Sequence, residues 1–372
     1  MRVGIIAFWD RLAVPYLSKY EELLSSLGIP YDSILWDRNQ TAPVTAVDKT
    51  LFLHRKLHGS VPGKIIGFFQ WRKDILKILK KKHYSGLIVL TTHPAILLSS
   101  YLKRHYRDAY IFDIRDYTQE KYPVYRRQVM KLIDRSSLTA ISSKGFMRFL
   151  EAHPKIVPNH NITVQPGNTV SELNETKRPI ELSFVGNVRL DRQTEAMLLT
   201  LGNDPNIHMR FVGRIVPGCR IRELIQEHGI TNVSLEGAFD VSQKPEIYAD
   251  TDLINTVYAN DTEDGLALGD STPIPNRLYD ALVFRRPMIA SRGTYLAQII
   301  EKYHLGLVVN GFDKDLSEQI ETYFRTFDHM SFSKGCTELL KEVTDEEEIF
   351  LCRLKDVLKE WTEKNDCQLQ RN

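Results

Sequence analysis

The sequence predicts an α/β protein of two doubly wound domains, each a parallel sheet with helices on both faces. Three observations predict it. Short apolar runs alternate with helix-periodic segments along all 372 residues, the pattern of parallel strands joined by crossover helices. Many of those runs are continuously apolar rather than alternating, as in strands buried on both faces. Charge also divides at one point: residues 1–172 hold 26 Lys+Arg against 14 Asp+Glu, a surplus of +12, and the remaining 200 hold 23 against 33, or −10. There the chain reads SELNETKRP (171–179), polar and turn-rich, which suits a linker. The predicted organisation is a first domain at 1–170, the linker at 171–179, a second domain at 180–343, and a C-terminal helix and tail at 344–372.

In chain order, residues 3–8 form the first strand candidate; Asp10 and Arg11 end this run too early for an export signal. An amphipathic helix follows at 16–27 and a strand at 31–35. The basic stretch 71–83 carries Arg72, Lys73, Lys77, Lys80, Lys81 and Lys82 among Ile75, Leu76, Ile78 and Leu79. As a helix it has one apolar and one cationic face, open to two readings: a solvated helix on the core, or a helix lying against anionic lipid. Residues 86–102 lack formal charge, but Thr91, Thr92, His93, Pro94, Ser99 and Ser100 interrupt them. They are also shorter than the ~20 apolar residues of a bilayer span, so they read as strand, loop and helix. Strands at 110–112 and 138–141, with a helix at 121–133 between them, complete the first domain. In the second, the strand candidates are 181–185, 208–212, 233–235, 253–255, 288–290 and 306–309, and the acidic segment 344–361 is helical.

Composition excludes several classes. A hydrophobic content of 42% with 26% charged residues fills cores and argues against disorder. Cys219, Cys336, Cys352 and Cys367 show neither C-x-x-C spacing nor a disulfide framework, so reduced thiols and no structural zinc are expected. The acidic run 260–271 misses the calcium-loop pattern and reads as an active-site loop. No metal and no resident cofactor are expected. Nucleic-acid binding lacks any motif to carry it.

The densest chemistry lies at 272–309. Pro275 and Asn276 stand where a helix starts, and Arg286-Pro287 stops that helix. Arg277 and Asp280 fall in its first turn, beside backbone N–H groups that attract anions. A cation for phosphate and a carboxylate for ribose hydroxyls, at the open end of a parallel sheet, suit a nucleotide.

This stretch resembles the donor-binding segment of the GT-B glycosyltransferases, in particular the retaining family 4 of bacterial surface-polysaccharide synthesis. The matching places are Pro275-Asn276-Arg277, Asp280-Ala281 and Arg285-Arg286-Pro287-Met288-Ile289. The family's two glutamates, separated by seven residues, are replaced by Thr272 and Asp280. Gly186, opening the loop after 181–185, resembles the glycine of the family's Val-Gly-Arg segment. Asn187 takes its Arg place and Arg192 its Lys place, with Arg189 between them. The resemblance implies that Arg189 or Arg192 holds the donor diphosphate; the alternative is a solvent-facing arginine at a helix start. Ile111 to Tyr117 resembles the family's strand ending at the acceptor, which implies an acceptor side made by Arg115 and Asp116. Asp116 then orients or deprotonates the attacking hydroxyl, or else caps a helix starting near Thr118. Trp9 either stacks on substrate or packs as a half-buried structural ring.

The resemblance is strong over 180–310 and weak over 1–170. It implies a GT-B glycosyltransferase, cytoplasmic or peripheral on the inner face of the cell membrane. This enzyme transfers a sugar with retention from a nucleotide sugar, its substrate, to a glycan or lipid-linked acceptor. Asp116, Arg192 and Arg277 would be its catalytic residues. Two alternatives stay open: a non-hydrolysing sugar-nucleotide epimerase, and a non-catalytic nucleotide-sugar-binding scaffold.

Overall fold

The computed structural model describes the chain except residues 10, 12–13, 39–48, 58–59, 117–118, 121, 163–178, 258–273, 312–314 and 370–372, and the side chains of 367–369. The linker expected at 171–179, apart from Pro179, lies outside the described residues, as do Thr272 and the acidic run 260–271. The chain divides into two compact units, Met1–His160 with Glu346–Asn372, and Asn161–Asp345.

The first unit contains β1 (Val3–Ala7), α1 (Leu17–Ser26), β2 (Tyr31–Asp37), β3 (Thr50–His54), α2 (Val61–Lys82), β4 (Gly86–Leu90), α3 (Thr92–Leu97), α4 (Ser99–His105), β5 (Tyr110–Ile114), α5 (Pro123–Arg135), β6 (Leu138–Ile141) and β7 (Ile156–Pro158). All seven strands are parallel, in the order β3-β2-β1-β4-β5-β6-β7. Strand alternation sends Val3, Ile5 and Ala7 to one face and Ile6 and Phe8 to the other. On the first face α1 packs with the distal part of the last helix; on the second lie α2, α3, α4 and α5. The five strands expected by sequence are present. The two edge strands, β3 and β7, are additional: three residues of β7 are too few to show a period, and β3 is only half-buried.

The second unit contains β8 (Ile180–Val185), α6 (Arg192–Leu201), β9 (Ile207–Val212), α7 (Ile221–Glu227), β10 (Val233–Gly237), α8 (Lys244–Ala249), β11 (Leu253–Asn255), α9 (Asn276–Phe284), β12 (Met288–Ser291), α10 (Tyr295–Tyr303), β13 (Gly306–Val309), α11 (Leu316–Arg325) and the start of α12 (His329–Leu369). Its six strands are also parallel, ordered β10-β9-β8-β11-β12-β13, and all six were expected. Helix α9 is buried from Arg277 to Phe284 on every side rather than along one stripe.

Helix α12 serves both units in turn. Phe332, Cys336, Leu339 and Val343 join the second unit's core; Phe350, Leu354, Leu358 and Trp361 join the first's. Trp361 covers the start of β4 so closely that a Cβ on Gly86 would lie 2.2 Å from its ring. The passages between units fall at His160/Asn161 and within α12 at Asp345/Glu346, against the 170 and 344 expected from charge and composition.

Candidate functional site

In a doubly wound sheet the ligand crevice opens at the carboxyl ends of the strands, where the strand order reverses. In the second unit that point lies between β8 and β11. The guanidinium of Arg277 sits there: its Nη1 donates to the carbonyl of Asn255, the last residue of β11, at 2.9 Å. Its carbon lies 4.0 Å from the ring centre of Phe184, near the end of β8. Arg277 is 6% exposed, fixed by a carbonyl and a π face. It occupies the second position of α9, after Pro275 at the N-cap and Asn276 at the first position. Asn276 is exposed, and its side chain accepts a 2.9 Å bond from Asn161.

Two glycine loops flank this point. Gly186 follows β8 and Gly213 follows β9, with φ of +146° and +149°. They lie back to back: a Cβ on Gly213 would stand 1.7 Å from the carbonyl oxygen of Gly186. Beyond them the loops run parallel, Val188 bonding to Arg214 and Val216 to Val188 through the backbone. The pairing presents Asn187, Arg189 and Arg214 as exposed residues at the carboxyl edge. Arg192, also exposed, opens α6, whose N-cap Asp191 accepts a bond from Thr194 N–H at 2.8 Å. Both expected arginines therefore reach solvent at an edge of oriented N–H groups that suits anions.

Asp280 differs from its expected place. It is 2% exposed, and its carboxylate accepts from Lys244 Nζ at 2.8 and 2.9 Å and from the Tyr248 hydroxyl at 2.8 Å. Three residues beyond Arg277 in α9, its carboxylate is turned to Lys244 and Tyr248 of α8. Burial, then Asp280, pushes the Tyr248 hydroxyl well above its usual range. The pair anchors α9, and the carboxylate expected to face a ribose is engaged in this buried ion pair.

In the first unit the reversal falls between β1 and β4. Phe8 follows β1 and stacks on His93 at 5.8 Å and 7°. The Arg38 guanidinium, just after β2, lies 3.6 Å from the Trp9 ring centre and 4.6 Å from that of Phe8, and donates to the Phe8 carbonyl at 2.8 Å. Trp9 is 43% exposed, with the Arg38 cation over its ring. Burial, with the Arg38 cation second, pushes His93 below the usual imidazole range, so it is neutral near pH 7. Thr91, between β4 and α3, holds φ +74° and ψ 162°, a region that a β-branched residue enters only under strain. Sequence reading missed Arg38 and His93; the one signal was a His after a strand end, in THP.

Arg115 and Asp116 follow β5 and point apart. Arg115 is 6% exposed; it grips Asp113 at 2.7 and 2.8 Å and donates to the Asn159 carbonyl at 3.0 Å. It also covers the Tyr16 ring at 4.3 Å. The Tyr20 hydroxyl donates to Asp113 at 2.6 Å. These contacts hold the Arg115 guanidinium among core residues at the end of β5. Asp116 is exposed. Dehydration by surrounding protein raises its pKa; the Arg115 charge works against that and Asp113 adds to it. The next described helix starts at Pro123 with Tyr122 as N-cap, so Asp116 caps no described helix. Among the described residues no group of three or more His, Cys, Asp or Glu is placed to hold a metal ion.

No protein-family model matches the sequence, and no curated protein matches it. Solved structures do match. Sucrose-phosphate synthase from Thermosynechococcus elongatus aligns with a TM-score of 0.71 at 12% identity, over 98% of this chain and 100% of that one. The lipopolysaccharide outer core galactosyltransferase WaaB, in its apo form, gives 0.63 at 11%, over 97% and 99%. Anabaena HepE in complex with UDP and glucose gives 0.58 at 13%, over 96% and 100%. With two parallel-sheet Rossmann-like units, the chain has the GT-B fold of these glycosyltransferases.

Proposed function

We propose that the protein is a nucleotide-sugar-dependent glycosyltransferase, transferring a sugar with retention to a glycan or lipid-linked acceptor in the synthesis of bacterial surface polysaccharide. The observation that carries this reading is the Arg277 guanidinium, fixed by Asn255 and Phe184 where the second sheet reverses. A fixed cation at that point stabilises a diphosphate whose charge grows as the sugar–phosphate bond breaks. Arg189 and Arg192 are exposed cations at the same edge and would hold the remaining phosphate oxygens. Gly186 and Gly213 let backbone come close to them.

In this reading the first unit presents Trp9, His93 and Asp116 to the acceptor. Asp116, with its raised pKa, or the neutral His93 orients the attacking hydroxyl. The bond from the anomeric carbon to the diphosphate oxygen breaks and the bond to the acceptor oxygen forms. The hydroxyl proton passes to the leaving diphosphate, and no covalent nucleophile is required. The retaining, substrate-side and membrane parts of this account follow the sequence resemblance. The HepE structure with UDP and glucose supports a uridine diphosphate sugar as the first donor to try.

A second reading, a nucleotide-sugar-binding protein without transfer, is favoured by one observation: the Asp280 carboxylate is already filled by Lys244 and Tyr248. One experiment separates the readings. A panel of nucleotide sugars is screened for protection against thermal unfolding, which binding raises by mass action. Each protecting donor is then incubated with a cell-derived acceptor fraction. Transfer to the acceptor supports the glycosyltransferase; protection without transfer supports the binding protein; no protection by any donor overturns both.

A further inference from the structure

The two helical layers of the first unit differ sharply in charge. On one face of its sheet, α1 and the 346–366 part of α12 carry five Lys+Arg against nine Asp+Glu. On the other, α2 to α5 carry 13 Lys+Arg against two acids, Asp74 and Asp134. The sheet itself thus separates a weakly acidic layer from a strongly basic one.

The basic layer also exposes apolar side chains. Helix α2 is docked by Trp71, Ile75 and Leu79, all at most 1% exposed, which fixes its rotation. Its opposite side carries Pro62, Ile66, Phe69, Lys73, Lys77 and Lys80, one ridge at spacings of three and four residues. Ile66 is 55% and Phe69 66% exposed; beside them Val61 is 71% and Ile65 51% exposed. Ser60 caps this end and Pro62 stands in its first turn, so the apolar segment is held helical, continuous with the lysines. At the start of α5, which packs on α3 and α4 in the same layer, Tyr122 is 55% and Val124 71% exposed. Both helix starts follow strand ends and therefore lie at the carboxyl edge of the sheet, the edge that carries Trp9 and His93.

We propose that this layer, led by the Pro62–Lys80 ridge of α2, docks on an anionic lipid bilayer. Charge complementarity selects that occupant. An apolar partner alone would leave the lysines unmatched, and a polyanion alone would leave Ile65, Ile66 and Phe69 in water. A bilayer with acidic headgroups satisfies both, the aliphatic and aromatic groups entering the headgroup–acyl boundary while lysines reach up to phosphates. Exposed apolar clusters of this kind mark interaction sites, and each lysine near an acidic surface adds attraction that salt screens. Docking would hold the carboxyl edge of the first sheet at the membrane, where a lipid-linked acceptor is found. The proposal stands apart from the donor-site reading: nucleotide protection can persist when vesicle binding fails, and the reverse.

The test is sedimentation of the full chain with vesicles of phosphatidylcholine alone and of phosphatidylcholine mixed with phosphatidylglycerol. Two variants are compared, Lys73→Gln/Lys77→Gln/Lys80→Gln and Ile66→Asp/Phe69→Asp, each checked for an unchanged melting temperature. All substituted side chains lie on the exposed ridge, so folding is expected to survive. If one variant fails to fold, the other decides. The proposal expects binding to the acidic vesicles that weakens with salt, and a loss of at least tenfold in either variant. Equal binding to neutral and acidic vesicles would overturn it, as would unchanged partitioning of both variants. Self-association abolished by Ile66→Asp/Phe69→Asp without vesicle binding would assign the ridge to a second copy of the chain, and this too overturns it.

Discussion

The imidazole of His160 lies 2.7 Å from the carboxylate of Glu346, and its backbone N–H donates to Glu347 at 3.1 Å. These residues stand where the chain leaves the first unit and where it returns. Lys19 joins them, 2.6 Å from Glu347 and bonded to the His160 carbonyl, and Lys144 pairs with Glu346. The two passages of the chain are thus tied to one another by α1 and the turn after β6.

This tie predicts an acid-sensitive stability. Burial pushes the Glu346 carboxyl up, but bonds from His160 and Lys144 outweigh it and hold its pKa below the model-compound value of 4.5. A carboxyl whose folded pKa is depressed stabilises the fold above its unfolded pKa and loses that contribution as pH falls through the folded one. Urea melts of the wild type should weaken on acidification below about pH 4.5. Glu346→Gln should be less stable at pH 7 by roughly 1.5–3 kcal/mol and show a flatter acid limb. An acid limb identical in the two proteins would disconnect Glu346 from it.

Asp280 should matter to folding. Removing one member of a buried ion pair leaves the other charged and unmatched, at a cost of about 3–5 kcal/mol. Asp280→Ala should therefore lower the melting temperature sharply. Asp280→Leu with Lys244→Met should recover much of the loss, because an apolar pair of similar size removes the stranded charge. A fully stable Asp280→Ala that had only lost nucleotide affinity would return the carboxylate to the donor site.

Gly213 tests the loop edge. Alanine there must adopt φ +149° and place a methyl 1.7 Å from the Gly186 carbonyl oxygen, so the paired loops must separate. The expected cost exceeds about 1 kcal/mol, together with weaker nucleotide binding. Gly218, at φ +81° with nothing near its missing Cβ, serves as the strained but uncrowded control. Equal donor affinity for Gly213→Ala and Gly218→Ala would remove the paired loops from the binding edge.

On the acceptor side, Asp116 has a raised pKa, and its ionised form is the one able to orient a hydroxyl. Transfer should then rise with pH through a value above the 3.8 of an ordinary aspartate. Asp116→Asn should remove that limb and lower kcat/KM by roughly 10²-fold or more. A limb that persists in Asp116→Asn and disappears in His93→Gln would assign the role to His93.

Much of this was legible in the sequence for a physical reason. Strands buried on both faces tend to be continuously apolar, as β1 and β4 are, and eleven of the thirteen described strands were found. IVP at 156–158 offers too few residues for any period. Pro62, Gly63 and Gly67 disguised the first ten residues of α2, although Ser60 and Pro62 are a helix start in retrospect. The place of Arg277 at a helix start was legible because a helix N-terminus after a loop fixes the position of its first residues. Arg115 and Asp116 were not separable, since adjacent residues at a strand end point apart and sequence does not say which faces inward. The partner of Asp280 is Lys244, 36 residues away, beyond any local pattern. Arg38 and His93 both reach Phe8 because β1, β2 and β4 are neighbours in the sheet.

The central claim is that Arg277 stabilises a diphosphate that leaves when an acceptor attacks. The most direct measurement is release of free nucleoside diphosphate from the protecting donor, with and without the acceptor fraction, for wild type, Arg277→Lys and Arg277→Gln of matched stability. The account predicts acceptor-dependent release that falls roughly 10²–10³-fold in Arg277→Gln, more than donor binding falls, and partly recovers with lysine. Release that proceeds equally without acceptor, or that is unchanged in a folded Arg277→Gln, would contradict it.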